Sequence, residues 1–131
     1  MKTKFAKIKN VTKHAELQTL LEVCDDIASR TKGLMFRKNP ASLFFDFDYM
    51  GIHSIHSCFV NFEFDAIYLD DDWNVVDVFF AIRPFQALIS PSSACRYLLE
   101  LPTGHAHKLS AAKNDRIEVE WSEDAPEFAS K

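Results

Sequence analysis

Glycine is nearly missing from this chain, with three residues in 131. So few exclude a P-loop, a GxGxxG turn or a GxSxG elbow, each of which needs closely spaced glycines to bring backbone amides to a phosphate or to expose a nucleophile. Cysteine is almost as scarce. Cys24, Cys58 and Cys95 are odd in number, far apart and outside any CxxC pattern, so they read as reduced thiols rather than a disulfide framework or a zinc ribbon. No run approaches the roughly 20 apolar residues of a membrane-spanning helix. The opening MKTKFAKIKN lacks the apolar stretch of a secretory signal, and the expected location is the cytoplasm. Basic residues are absent from a whole third of the chain: residues 39–82 carry eight acids and no Lys or Arg. The first 38 residues hold nine Lys/Arg against four acids, and residues 83–131 hold six against seven.

What is present is a globular composition, 47% hydrophobic and 26% charged, enough for a core without metals or disulfides. A net charge of −4 supplies no general attraction to nucleic acid or to an anionic membrane, and neither is expected as a partner. Phenylalanine is the excess: ten of twelve lie between Phe36 and Phe85, the stretch that also holds the acid-only block. Aromatic density and acidity together predict an aromatic-lined, acidic cleft.

Periodicity outlines the elements. Phe5 to Val11 alternates as a Lys-rich strand. Glu16 to Val23 is ambiguous: Leu17, Leu20, Leu21 and Cys24 have helical spacing, while Leu17, Thr19, Leu21 and Val23 alternate as in a strand. Asp25 or Asp26 caps a helix running to Lys32, with Gly33 closing it in a left-handed conformation. Leu43 to Phe64 is strand-like, as are the residues up to Asp70. Asp70-Asp71-Asp72 forms a hairpin tip in which Asn74 is suited to the left-handed position, and Val75 to Ile82 returns. Pro84 and Pro91 bracket a loop, RYLLEL (Arg96 to Leu101) is a strand, Thr103 to Ala111 a short helix, and RIEVEW (Arg116 to Trp121) the last strand. The expectation is a single α+β domain over residues 1–121, a mainly antiparallel β barrel or roll with two short helices, followed by a frayed acidic tail at 122–131.

Three segments in order, GLMFRK (Gly33 to Lys38), IHSCFVNFEFDAIYLD (Ile55 to Asp70) and ACRYLLELPTG (Ala94 to Gly104), resemble the prokaryotic family called domain of unknown function 192, over about residues 23–119. Gly33, Leu34, Met35 and Arg37 match its GLM motif. His56 matches a family position ahead of the hairpin, and Asp65, Leu69, Asp70, Val75 and Val76 match the hairpin itself, which reads roughly FxxxPxDxxFLDxxGxVV. Arg96, Leu99, Glu100, Leu101, Pro102 and Gly104 match its ARxVLELPAG strand, and Asp115 its final turn. Glu63 replaces a Pro, Trp73 and Asn114 replace Gly, and Asn61 replaces a basic residue common in relatives. The resemblance implies that Glu16 to Val23 is a strand. Many relatives carry export signals or lipid anchors, and neither pattern is present here. The resemblance implies no particular reaction.

Among residues that could carry chemistry, Asp65 and Glu100 stand out, because each is a carboxylate inside an apolar strand, where ionisation is costly unless paired or hydrogen-bonded. Arg37, Arg83 and Arg96 are the available cations. The expected cleft therefore comprises His56, Asp65, Glu100, Arg37 and Arg96. His53, His56 and Cys58 do not share one strand face, His105-x-His107 sits on a predicted helix, and Asp70 to Asp72 lacks the glycine and glutamate of an EF-hand loop. No metal and no cofactor are expected. The leading function is a non-catalytic module that binds a small molecule or a protein. The alternatives are an enzyme of unknown reaction, a hydrolase being one candidate, using His56, Asp65 and Glu100, or a protein-interaction domain, monomeric or homodimeric.

Overall fold

In a computed structural model of the protein, which describes residues 2–122, the alternating N-terminal segments form a hairpin of β1 (Lys2–Asn10) and β2 (Ala15–Cys24). Ala6, Ile8 and Leu21 point inward and are fully buried. β2 is a strand despite its helical spacing because both its edges are used: β1 pairs along one side and β3 (Ser42–Gly51) along the other. The β2–β3 pairing is parallel, while the other five strand pairings are antiparallel, in keeping with the mainly antiparallel sheet expected. Parallel neighbours need a crossover, supplied by α1 (Ile27–Lys32) and the turn after it. Asp26 caps α1 by accepting from the Ser29 N–H at 2.7 Å. Gly33 closes it at φ 45° and ψ −123°, positive φ as expected but outside the left-handed helical basin.

β4 (Phe64–Leu69) and β5 (Val75–Ile82) form the predicted hairpin, followed by β6 (Cys95–Pro102), α2 (His105–Lys108) and β7 (Ile117–Trp121). Strand order is β5-β4-β6-β3-β2-β1-β7 in one sheet. The sheet curls until its two edge strands approach, where an isolated Asn74–Arg116 bridge and the Val75 N–H to Asp115 carbonyl bond of 2.8 Å join them. The fold is thus mostly β and barrel-like. Two helices of six and four residues are too short to form a layer, so the α+β expectation is corrected. No helix of the described residues is long and apolar enough to cross a membrane.

Two further expectations change. The strand read from Leu43 to Phe64 breaks at Gly51: residues 52–63 leave the sheet except for one Ile55–Ile89 bridge. The buried Ser57 hydroxyl explains this, because it bonds the Arg83 carbonyl and accepts from the Gln86 N–H, tying the segment to the 83–89 loop rather than to a strand. At the hairpin tip Trp73, not Asn74, takes positive φ, 65°; its ring stacks on Tyr97 at 4.5 Å and on Phe44 at 5.5 Å. The frayed-tail expectation lies outside the described residues apart from Ser122, whose N–H bonds the Phe5 carbonyl at 2.9 Å.

Sheet parity divides the core in two. Ile8, Leu21, Phe44, Ile67, Leu99, Leu101 and Ile117 pack inside the curl with Ala106 and Leu109 of the α2 segment. Leu43, Phe45, Phe64, Tyr68 and Leu98 face the other way and are covered by Leu34, Val60 and Ile89 from the loops.

Candidate functional site

Register decides which predicted residues meet. Glu100 of β6 lies opposite Ala66 of β4, while Asp65 lies opposite Leu101. Because side chains alternate across a strand, Asp65 and Glu100 project from opposite faces of the sheet. The expected trio of His56, Asp65 and Glu100 is therefore not assembled.

Asp65 is buried inside the curl, and all its visible bonds are to backbone. Oδ1 accepts from the Ala81 N–H at 2.8 Å, and Oδ2 accepts from the Gly104 and Ala106 N–H groups at 3.0 Å each. Ala81 sits at φ 50°, where the β4–β5 register shifts. One carboxylate thus satisfies the bulge amide of β5 and fastens the start of α2, which has no side-chain cap of its own.

Glu100 opens on the other face into a cavity of about 270 Å³, lined by Phe45, Phe47, Phe64, Leu34, Ile55 and Val60, with Arg30, Lys32, Ser54 and His56 among its polar residues. The Glu100 residue is 5% exposed. No hydrogen-bond donor among the described residues reaches its carboxyl. Burial pushes its pKa up to about 8, a rise that the nearby Arg37 guanidinium opposes only in part. The same burial, with Glu100 adding to it, drives the Cys24 thiol up to about 12, so Cys24 stays a neutral thiol and is no nucleophile. His56 is exposed at the rim; its Nδ1 accepts from the Cys58 N–H at 3.2 Å, which leaves the ring proton of the neutral form on Nε2.

The two arginines do structural work. Arg37 holds Glu22 in a two-pronged pair at 2.6 and 3.0 Å and donates Nε to the Gly33 carbonyl, fastening the turn after α1 to β2. Arg96 reaches Asp46 at 3.2 Å and lies over the Tyr97 ring. Asp48 of the same acid-only block pairs with Arg30 at 3.2 Å, and Asp77 accepts from the Ser92 N–H. These acids hold flanking segments in place. The acidic cleft is accordingly corrected: the cavity is aromatic-lined, but among the described residues its single carboxyl comes from outside that block, and Arg30 and Lys32 accompany it.

The turn motif builds one wall. Gly33, Leu34 and Met35 line the cavity, and a Cβ on Gly33 would stand 3.5 Å from Phe45 Cζ and 3.7 Å from Glu100 Oε1. Space therefore tolerates a methyl group and backbone strain does not. Gly33→Ala is expected to cost about 1–3 kcal/mol, read as a lower urea midpoint with an unchanged slope. Phe36 and Phe59 flank this wall and stack at 5.2 Å. Both have φ of 63°, and the Phe36 N–H bonds the Phe59 carbonyl at 2.9 Å. Arg30 and Lys32 had no sequence signal beyond closing a predicted helix with basic residues.

Asp70, Asp71 and Asp72 form the one group among the described residues whose carboxylates converge within 4.8 Å. Asp70 Oδ1 already accepts from the Asp72 and Asn74 N–H groups, the bonding of a hairpin tip. His53 instead stacks on Phe47 at 4.1 Å, away from any shared point with His56 and Cys58.

Comparison with known proteins agrees with the sequence motifs. Residues 8–119 match the model of the DUF192 family, described as Uncharacterized ACR, COG1430. The chain is 32% identical over 111 residues to a UPF0127 protein of Pyrococcus furiosus, spanning 83% of this chain and 94% of the relative. It is 30% identical over 113 residues to a UPF0127 protein of Pyrococcus abyssi, spanning 85% and 95%. Among solved structures it is similar in fold to a putative transcription regulator of Sinorhizobium meliloti, with a TM-score of 0.80 and 20% identity over 90% of this chain and 94% of that one. A protein of unknown function from Novosphingobium aromaticivorans gives a TM-score of 0.78 and 18% identity over 88% and 84%. With the motif residues of the GLM turn and the LELP strand meeting around one cavity, and with the family match running through nearly the whole sheet, this chain belongs to the DUF192 family.

Proposed function

We propose that the protein is a non-catalytic module that binds a small, partly apolar molecule in the cavity over Glu100. One observation carries this reading: a carboxyl that is buried, faces the cavity and has no donor among the described residues. Such a group takes its hydrogen bond from whatever enters the cavity, water or a bound molecule, and the aromatic surroundings favour a partly apolar one. The aromatic and aliphatic walls supply the apolar contact typical of ligand pockets, with a few polar groups to fix orientation. Catalysis is the weaker reading because Asp65, the second carboxylate it requires, serves backbone amides on the opposite face.

A thermal-shift screen across small metabolites tests the proposal. A ligand at 100 times its Kd adds about 2.7 kcal/mol of stability, and that shift disappears in Ser54→Trp, which blocks the rim without entering the core. Silence of the unaltered protein across a broad library, or shifts that survive Ser54→Trp, overturns the reading.

A further inference from the structure

The lining of the cavity narrows the ligand. Its polar groups are several donors and a single acid among the described residues. Lys32 is exposed and Arg30 half-buried, whereas Glu100 is buried. Arg30 spends only Nη1 on Asp46 and Asp48 among the described residues, leaving the rest of its fork to a ligand. His56 contributes Nε2–H from the rim. Among the described residues Glu100 is the only carboxylic acid in the lining, and it is buried.

The charged and titratable groups around Glu100 are Cys24 on β2, Arg30 and Lys32 on α1, Arg37 beyond it, His56 on the covering loop and Tyr68 on β4. Arg37 is neutralised by Glu22. Burial also raises Tyr68, whose hydroxyl donates to the His53 carbonyl at 2.8 Å. Arg30 shares its charge with Asp48. With Glu100, Cys24 and Tyr68 all protonated near pH 7, Lys32 is the lining cation with no ion-pair partner among the described residues, and the buried carboxyl is itself a donor.

We infer that the cavity takes a small organic acid, a monoanion with an apolar body whose acid group pairs with Arg30 and Lys32. A hydroxyl or carbonyl oxygen at its far end accepts a hydrogen bond from the Glu100 carboxyl. The apolar body lies between Phe45, Phe47 and Phe64. This inference rests on the cavity being a binding site and adds to it the sign of the ligand's charge and the direction of the deep hydrogen bond.

The test compares three probes of similar body, measured by calorimetry and thermal shift: 3-(4-hydroxyphenyl)propionate, the cation tyramine and the neutral alcohol tyrosol. The acid is expected to bind at least tenfold more tightly than tyramine. Its affinity is expected to fall about tenfold between pH 7 and pH 9, as a group with a pKa near 8 loses the proton it donates. Glu100→Gln, whose amide still donates, keeps acid binding within a few-fold and abolishes that pH dependence. Lys32→Glu, at an exposed position, weakens the acid tenfold or more and leaves tyrosol unchanged.

Preferential binding of tyramine, strengthening as pH rises, overturns the acid assignment while leaving the cavity as a binding site. Equal binding of all three overturns the charge assignment in the same way. If all three probes are silent at 10 mM, the assignment falls whenever the metabolite screen yields a ligand blocked by Ser54→Trp; if that screen is silent too, both readings fall together.

Discussion

Asp65→Asn is expected to destabilise the protein by about 3–5 kcal/mol, the largest effect of any single substitution considered, without touching the cavity over Glu100. The wild-type carboxylate accepts three backbone N–H bonds from two directions: Ala81 on one oxygen, Gly104 and Ala106 on the other. An amide has one acceptor oxygen. Whichever way the Asn side chain turns, its NH2 group faces at least one backbone donor in a site where Asp65 is 1% exposed. Each buried donor left without an acceptor costs about 1–3 kcal/mol. Placed on the Ala81 side, the NH2 group opens the β5 bulge; placed on the other side, it frees the start of α2, whose Ala106 and Leu109 fill the curl. Urea unfolding of Asp65→Asn and Asp65→Ala measures the loss. A variant as stable as the wild type would mean that these three bonds contribute nothing net, and would return Asp65 to consideration as a site residue.

That Asp65 and Glu100 lie within apolar strands is legible in the sequence, because FDAIYL and YLLEL are short runs rich in apolar residues. Their separation onto opposite faces is not legible. It depends on the β4–β6 register, in which Ala66 rather than Asp65 stands opposite Glu100, and a shift by one residue would have brought both to one face. Register of this kind is set by partners more than 30 residues away, and no local pattern encodes it. The parallel β2–β3 pair was hidden for the same reason: alternation identifies a strand but not its neighbour. Residues 52–63 misled differently. Their β-branched and aromatic composition suits a strand, yet Ile55 and Val60 spend that apolarity covering the sheet, and composition alone cannot tell a strand from the lid above it.

The departures from the family pattern were more informative than the matches. Trp73 and Asn114 stand where relatives have glycine, and both adopt positive φ, 65° and 73°. Glycine in the family is thus explained by backbone need. Asn114 meets that need at little cost, since Asn tolerates the left-handed region. Trp73 meets it at a higher cost, offset by its stacking on Tyr97 and Phe44. Arg30 and Lys32 escaped the sequence reading because a helix of six residues has no amphipathic stripe to reveal which of its residues line a cavity.

Glu100→Gln is expected to do the opposite of Asp65→Asn and stabilise the protein at neutral and alkaline pH. In the folded state the Glu100 pKa is raised from 4.5 to about 8, so between those values the native protein holds a proton that the unfolded chain releases. Stability contributed by this group is therefore full below about pH 4.5, falls as pH rises, and levels off above about pH 8. At pH 7 the loss amounts to about 3 kcal/mol, since each unit of separation is about 1.4 kcal/mol. Glutamine removes the titration while keeping nearly the same shape and a donor toward the cavity. Its stability, followed by urea unfolding from pH 5 to pH 9, is expected to lack the decline seen in the wild type, with the gap widening to several degrees of Tm by pH 8. Parallel curves for the two proteins would mean that Glu100 ionises freely, and would place a donor on it that the cavity as described does not provide.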